Sequence, residues 1–286
     1  MGEEVKVRKP NPVLDSSLSR IIFLGTGSGN FVRGKQIRAT GGIILQIQGN
    51  QFHIDPGPGA LLMARDNKVS LRENTAVLVS HSHIGHANDL NAVIDAMTYM
   101  GFDRQGLLIS NYKVINGSED SCPVLNKFYK DCLEKCIVLK EGQKVGVNDV
   151  EILAIPAKHT EAGTLGFRFL TKDFNLTYSS DTSYSNELLD FYKNSDILIL
   201  NVVNPLNNKS EGNLNTFDAI KIMKKINPKL AVITHFGIKM IEADPLYEAR
   251  EIQKEVDCQV IAAKDGMVIS PSSYSAKSEQ KSLKFF

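Results

Sequence analysis

The sequence is short of cysteine, of net charge and of long apolar runs. Four cysteines in 286 residues (Cys122, Cys132, Cys136 and Cys258) are too few for a disulfide scaffold. Cys132 and Cys136 stand four apart, a spacing that would place both on one helix face, and reduced thiols in a cytoplasmic protein are the expectation. The formal net charge of +1 gives no broad attraction to nucleic acid. Nucleic acid as a partner is left open without support from charge. No apolar run approaches the roughly 18 residues needed to span a bilayer, so no membrane partner is expected. The opening "MGEEVKVRKPNPVLDSS" is charged and lacks the apolar core of a secretory signal. What is present in ordinary amount is apolar substance, 42% of residues, enough for one large α/β domain.

Periodicity organises the chain. Residues 1–19 read as a polar, loose leader, 20–270 as one domain, and 271–286 as a polar, disordered tail. "RIIFLGTGSG" reads as a buried strand entering a glycine turn, and "GGIILQIQGNQFHIDPGPG" as a hairpin closing at Asp55. "TAVLVS" runs straight into His81. "ANDLNAVIDAMTYM" has helical spacing, with Leu90, Val93, Ile94 and Met97 on one face. "CPVLNKFYKDCLEKC" is a second helix candidate. "CIVLKEGQKVGVNDVEILAIPAKHT" predicts three short strands before His159, and "TLGFRFLTKDFNLTYSSDT" a hairpin before Asp181. "DILILNVV" and "LAVITHFG" are strands, the latter ending at His235. "TFDAIKIMKKI" and "DPLYEAREIQKEV" are helices, followed by strands "QVIAA" and "MVIS".

The histidines follow this pattern. His81, His159, Asp181 and His235 each come after an apolar strand, and "HSHIGH" places His81, His83 and His86 within six positions. Five of the six histidines lie in this setting. One histidine at a strand end is commonly a packed or surface residue; five with an aspartate point to a metal site, since imidazole and carboxylate are the ligands of zinc, iron and manganese. In extended chain, residues two apart point the same way, so His81 and His83 can grip one ion. His86, beyond a turn at Gly85, can serve a second, and Asp181 can bridge the two.

These residues resemble the metallo-β-lactamase-fold hydrolases. Their ordered motifs match Asp55 in "HIDPGPG", "HSHIGH", His159 in "PAKHT", Asp181 in "YSSDT" and His235 in "ITHFG", over roughly residues 21 to 270. The resemblance implies a four-layer αββα sandwich with the metals at one edge of the sheets. It implies a first metal on His81, His83 and His159, a second on His86 and His235, and Asp181 between them. Asp55 would orient ligands from behind, or cap the glycine loop. With Asp181 it completes the expected catalytic pair. The chemistry implied is hydrolysis by metal-bound hydroxide.

Gly85 departs from the family pattern, which has aspartate at that position. The expectation is a firmly bound Zn²⁺ (Fe²⁺ or Mn²⁺ being alternatives) and a second site that is weak or empty. Asp89, four residues on, either reaches back or caps a helix. An impaired, metal-binding interaction protein is the reading from a different class. "PAKHTEAGTLGFRF", "YSSDT" and "FLGTGSG" resemble the RNase Z and cyclic-phosphodiesterase branch, which implies a phosphodiesterase or nuclease-like activity on a phosphoester. The alternative is a hydrolase of a lactone, thioester or amide. Only 22 residues separate His159 from Asp181, too few for the substrate-gripping arm of RNase Z. Asn213 stands where that branch often has histidine. Gly25, Gly27 and Gly29 form no dinucleotide fingerprint; they predict a tight turn whose amides can meet a phosphate.

Two weaker signals remain. Gln280, Leu283 and Phe286, with Phe285 adjoining, have the spacing of a degenerate sliding-clamp peptide, against the plainer reading of a lysine-rich tail. Lys221, Lys224 and Lys225 are expected on a solvated face opposite Ile220, Met223 and Ile226. The oligomeric state is not legible.

Overall fold

The computed structural model describes residues 3–5 and 19–274. In chain order the strands are β1 (Glu3–Val5), β2 (Arg20–Gly25), β3 (Thr40–Ile47), β4 (Asn50–Ile54), β5 (Asn74–Val79), β6 (Leu107–Ser110), β7 (Lys135–Val138), β8 (Lys144–Val147), β9 (Val150–Pro156), β10 (Leu165–Leu170), β11 (Asn175–Tyr178), β12 (Ile197–Asn204), β13 (Leu214–Asn215), β14 (Leu230–Thr234), β15 (Gln259–Ala262) and β16 (Val268–Ile269). The helices are α1 (Gly29–Gly34), α2 (Ala60–Asp66), α3 (Ile84–Ala87), α4 (Leu90–Thr98), α5 (Tyr112–Asn116), α6 (Lys127–Cys132), α7 (Asn186–Tyr192), α8 (Thr216–Ile226), α9 (Ile238–Glu242) and α10 (Pro245–Glu255).

One sheet runs β16-β2-β3-β4-β5-β6-β7, and the other β1-β8-β9-β10-β11-β12-β14-β15 with β13 beside β12. Alternation along the strands explains the layering. On β2, Ile21 and Phe23 enter the core between the sheets while Ile22 and Leu24 face the helices. On β5, Ala76 and Leu78 face inward and Val77 and Val79 outward. On β12, Ile197 and Ile199 meet the other sheet while Leu198, Leu200 and Val202 meet helices. Strands buried on both faces must be apolar at every position, which is why they read as continuous runs. Phe52 of one sheet and Phe169 of the other pack with ring centroids 5.5 Å apart. Leu90, Val93, Ile94 and Met97 of α4 cover one outer face, and Ile220, Met223 and Ile252 of α8 and α10 the other. The αββα sandwich is therefore realised.

The structure departs from expectation in three places. Residues 3–5, inside the segment read as a loose leader, pair in parallel with β8. Cys132 ends α6, but Cys136 lies on β7, paired with Leu108 of β6, so the two thiols share no helix face. The sheet edge claims a segment whose local spacing was helical. The ordered chain also continues past 270: Pro271–Tyr274 form a 3₁₀ turn with Pro271 buried and Tyr274 packed on the inter-sheet core. Residues 275–286, with the clamp-like spacing, lie outside the described residues. No helix of the described chain is long and apolar enough to cross a membrane. On α8, Lys221 pairs with Asp218 at 3.2 Å and Lys224 with Glu255 at 2.7 Å, the solvated face expected of them.

His53 is the histidine outside the cluster. Fully buried on β4, it places Nε2 2.8 Å from the Gly41 carbonyl oxygen. Burial lowers its pKa to about 4. A histidine kept neutral in the fold but free to protonate when unfolded costs stability as pH falls below about 6.5. From pH 7 to pH 4 the loss amounts to about 3 kcal/mol. His53→Gln retains an amide donor for Gly41 and does not titrate. In urea titrations across that range it should lose about 3 kcal/mol less than the wild type; parallel pH profiles would refute this assignment.

Candidate metal centre

The five remaining histidines and Asp181 meet at one end of the two sheets. His81 and His83 follow β5, His86 is on α3, His159 follows β9, Asp181 follows β11 and His235 follows β14. Strand ends from both sheets thus aim side chains across the seam between them.

The donor atoms are close. His81 Nε2 lies 3.0 Å from His83 Nδ1, which lies 3.1 Å from His159 Nε2. On the other side, His86 Nε2 lies 3.1 Å from His235 Nε2 and 3.2 Å from Asp181 Oδ2, and His235 Nε2 lies 3.2 Å from Asp181 Oδ1. Asp181 Oδ2 is also 3.9 Å from His159 Nε2, so the carboxylate stands between the two groups. Tetrahedral zinc with nitrogen ligands holds its donors about 3.3 Å apart. Among the described residues, two donor groups could hold a metal ion: His81, His83 and His159, and His81, His86 and Asp181.

The outer ring nitrogens explain why the inner ones point inward. His81 Nδ1 lies 2.9 Å from Ser80 Oγ, and His159 Nδ1 2.7 Å from the Gly212 carbonyl oxygen. With those protons spent outward, the Nε2 lone pairs of both rings face His83 Nδ1. Burial holds His81 well below the ordinary imidazole value, with His86 adding to the effect; burial and His159 lower His83 as well. A neutral His83 has one Nδ1 proton and can donate it to only one of the two Nε2 lone pairs that face it, whereas a divalent ion would accept from all three rings, and this is what fits the cluster to a metal.

Behind the ligands lies Asp55, 3% exposed. It accepts hydrogen bonds from the Ser80 amide at 2.7 Å, Ser80 Oγ at 2.8 Å, Tyr178 OH at 2.7 Å and His86 Nδ1 at 2.9 Å. Burial disfavours a charge on His86, but Asp181 and Asp55 outweigh it and raise its pKa to about 10. Asp181, despite burial, is held well below the usual carboxylate range by His235 and His86. Asn201 donates to Asp181 Oδ1 at 2.8 Å and to Tyr178 OH at 3.2 Å. Asp55, Ser180 and His235 all sit at positive φ (52°, 57° and 64°), a costly backbone region for such residues.

Gly57 explains the tightness of the surrounding loops. A Cβ there would lie 2.1 Å from the Gly85 carbonyl oxygen and 2.3 Å from that of Thr40. The loop after β4 therefore presses directly on the backbone of "HSHIGH". Asp89 does not reach the cluster. Its Oδ2 accepts from the amides of Gly59 and Ala60, capping α2, so of its two expected roles it takes the capping one. The amides of Gly27 and Ser28 are spent on the carbonyls of Ala39 and Phe236, and those two are not free for a phosphate. Gly85 and Asn213 line the cavity beside the histidines, which encloses about 390 Å³.

Sequence reasoning missed Ser80, Tyr178, Asn201 and Glu161. Glu161 accepts from the Ser82 amide at 2.9 Å and from Ser82 Oγ, pinning the residue between His81 and His83. Asn201 carried a signal, a polar side chain inside the apolar run "DILILNVV".

Comparison with known proteins agrees with this geometry. Residues 50–236 match the family model described as the β-lactamase superfamily domain. An uncharacterized protein, MJ1374, of Methanocaldococcus jannaschii is 32% identical over 251 residues, covering 87% of this chain and 94% of its own. Among solved structures, the metallo-β-lactamase fold protein YhfI of Bacillus subtilis superposes with a TM-score of 0.74 at 19% identity, over 88% of this chain and 99% of that one. A diphosphatase of the PhnP family gives 0.66 at 17%, over 88% and 96%. The short form of human tRNase Z gives 0.62 at 15%, over 88% and 98%. With its sandwich, its histidine cluster and these matches, the chain belongs to the β-lactamase superfamily domain family and has the metallo-β-lactamase fold.

Proposed function

We propose that the protein is a metal-dependent hydrolase acting on a phosphoester. The observation that carries this reading is the convergence of five imidazoles and Asp181 with donor atoms 3.0–3.2 Å apart. A diphosphatase and a tRNA nuclease among proteins of the same fold support a phosphate linkage as the bond broken.

His81, His83 and His159 would hold the first ion with Asp181 beside it, and His86 and His235 the second, sharing Asp181. Zinc is the metal this donor set suits best, iron or manganese the alternatives. A divalent ion bound there supplies a Lewis acid and lowers the pKa of a coordinated water towards neutrality. The protein's own residues do the rest. Ser80, Gly212 and Asp55 fix which nitrogen of His81, His159 and His86 faces inward. Asn201 holds the Asp181 carboxylate in place and leaves Oδ2 towards His86 and His159. Asn213 lines the cavity with an amide, not an acid, and its Nδ2 already donates to the Glu211 carbonyl and Ser210 Oγ. Position 85 contributes no donor, so the second ion has one ligand fewer and is held more weakly.

Three outcomes follow. The wild type should hydrolyse bis-p-nitrophenyl phosphate, lose that activity on chelation and regain it with zinc. Preference for a lactone, thioester or amide would overturn the phosphoester class. Absence of any turnover in the wild type, with turnover in Gly85→Asp, would favour the impaired, metal-binding reading. Metal analysis after dialysis should give about one retained ion per chain. A Cβ at 85 would stand 3.2 Å from Arg33 Nη1, so Gly85→Asp is best combined with Arg33→Met to remove a competing cation. That double variant should retain about two ions; two firmly held ions in the wild type would refute the weakened site. Asp55→Asn should lower zinc affinity about 10- to 100-fold in chelator competition, since an amide cannot accept all four hydrogen bonds.

A further inference from the structure

Position 85 brings no side chain to the cavity, and a cation stands over it instead. A Cβ built on Gly85 would meet Arg33 Nη1 at 3.2 Å, with no other non-neighbouring atom within 4 Å. The φ of Gly85 is not in the left-handed region, so the backbone itself does not demand glycine there. What the missing side chain leaves is room for the guanidinium. Arg33 is carried on α1, which is anchored by the fully buried Val32. Asn30 Oδ1 accepts from Arg33 Nη2 at 2.6 Å and turns the guanidinium plane. Among the described residues no carboxylate pairs with Arg33. It lines the same cavity as His83, His86, His159, Asp181 and His235, and among the described residues is the one arginine or lysine there. The cavity's carboxylate, Asp181, is already engaged by His86, His235 and Asn201.

An uncompensated guanidinium beside a hydrolytic centre suits a planar pair of anionic oxygens. We propose that Arg33 is the substrate-recognising residue of this site and binds the non-bridging oxygens of a phosphoester, selecting that anion over a neutral ester or amide. The inference rests on the hydrolase reading above and adds the residue that sets its substrate class. Gly85 then has two effects: it leaves a ligand out of the second metal position, and it admits the cation that holds the substrate.

The test uses the zinc-loaded protein and its Arg33→Met and Arg33→Lys variants, with metal content and thermal melting measured first. Inorganic phosphate is titrated by calorimetry, and KM and kcat are measured with bis-p-nitrophenyl phosphate. Loss of a charge-assisted contact should weaken phosphate binding in Arg33→Met about 10- to 100-fold. KM should rise by a similar factor while kcat falls less, and Arg33→Lys should recover part of the loss. Unchanged phosphate affinity in a metal-replete Arg33→Met, or no phosphate binding by the wild type, would overturn the proposal. If the wild type binds phosphate through Arg33 but turns over no phosphoester, the hydrolase reading fails and the anion site stands.

Discussion

The centre depends on one buried carboxylate. Asp55, at the end of β4, accepts four hydrogen bonds from the end of β5, from α3 and from β11 of the opposite sheet. So fully satisfied a buried acceptor is held firmly in place, with His86 Nδ1 2.9 Å away. Asp55 thus does more than support one ligand. Through Ser80 it sets the ring of His81, directly it sets His86, and through Tyr178 it reaches Asn201 and so Asp181. The two halves of the histidine cluster share a single polar foundation, and it crosses the seam between the sheets.

Much of this was legible because the fold makes the sequence repeat a simple statement. Four of the six candidate donors, His81, His159, Asp181 and His235, come after an apolar strand, and strands covered on both faces show as unbroken runs. They could be picked out for that reason. What could not be read depended on partners distant in the chain. Cys136 has helical spacing from Cys132, but β6 offers it a strand to pair with. Asp89 lies near the histidines in sequence, yet a single turn of α3 directs it to α2. The amides of Gly27 and Ser28 look free until Ala39 and Phe236 arrive beside them. Arg33 gave no signal at all, because what sets it apart is its place in the cavity beside Gly85, a residue 52 positions away.

The apposed imidazoles of His81 and His159 present two lone pairs to a single His83 Nδ1, which can donate to only one of them. Their outer nitrogens are committed to Ser80 and Gly212, and the backbone at Asp55, Ser180 and His235 is held in a costly conformation. Such features persist where the surrounding structure enforces them. Here the enforcement comes from packing: the Phe52–Phe169 contact between the sheets, and the backbone-to-backbone approach at Gly57.

The spread of the ligands from position 81 to position 235 also constrains how the chain can acquire its ion. Apart from His86 on α3, they follow β5, β9, β11 and β14 of two different sheets, and β5 and β14 pair with parallel strands on both edges. Closing such long loops is entropically costly and slow. No early, local fragment holds more than the paired histidines of "HSHIGH". An ion held by this set would find its donors gathered only once both sheets have docked, so it would act on the finished fold and not as a nucleus for it.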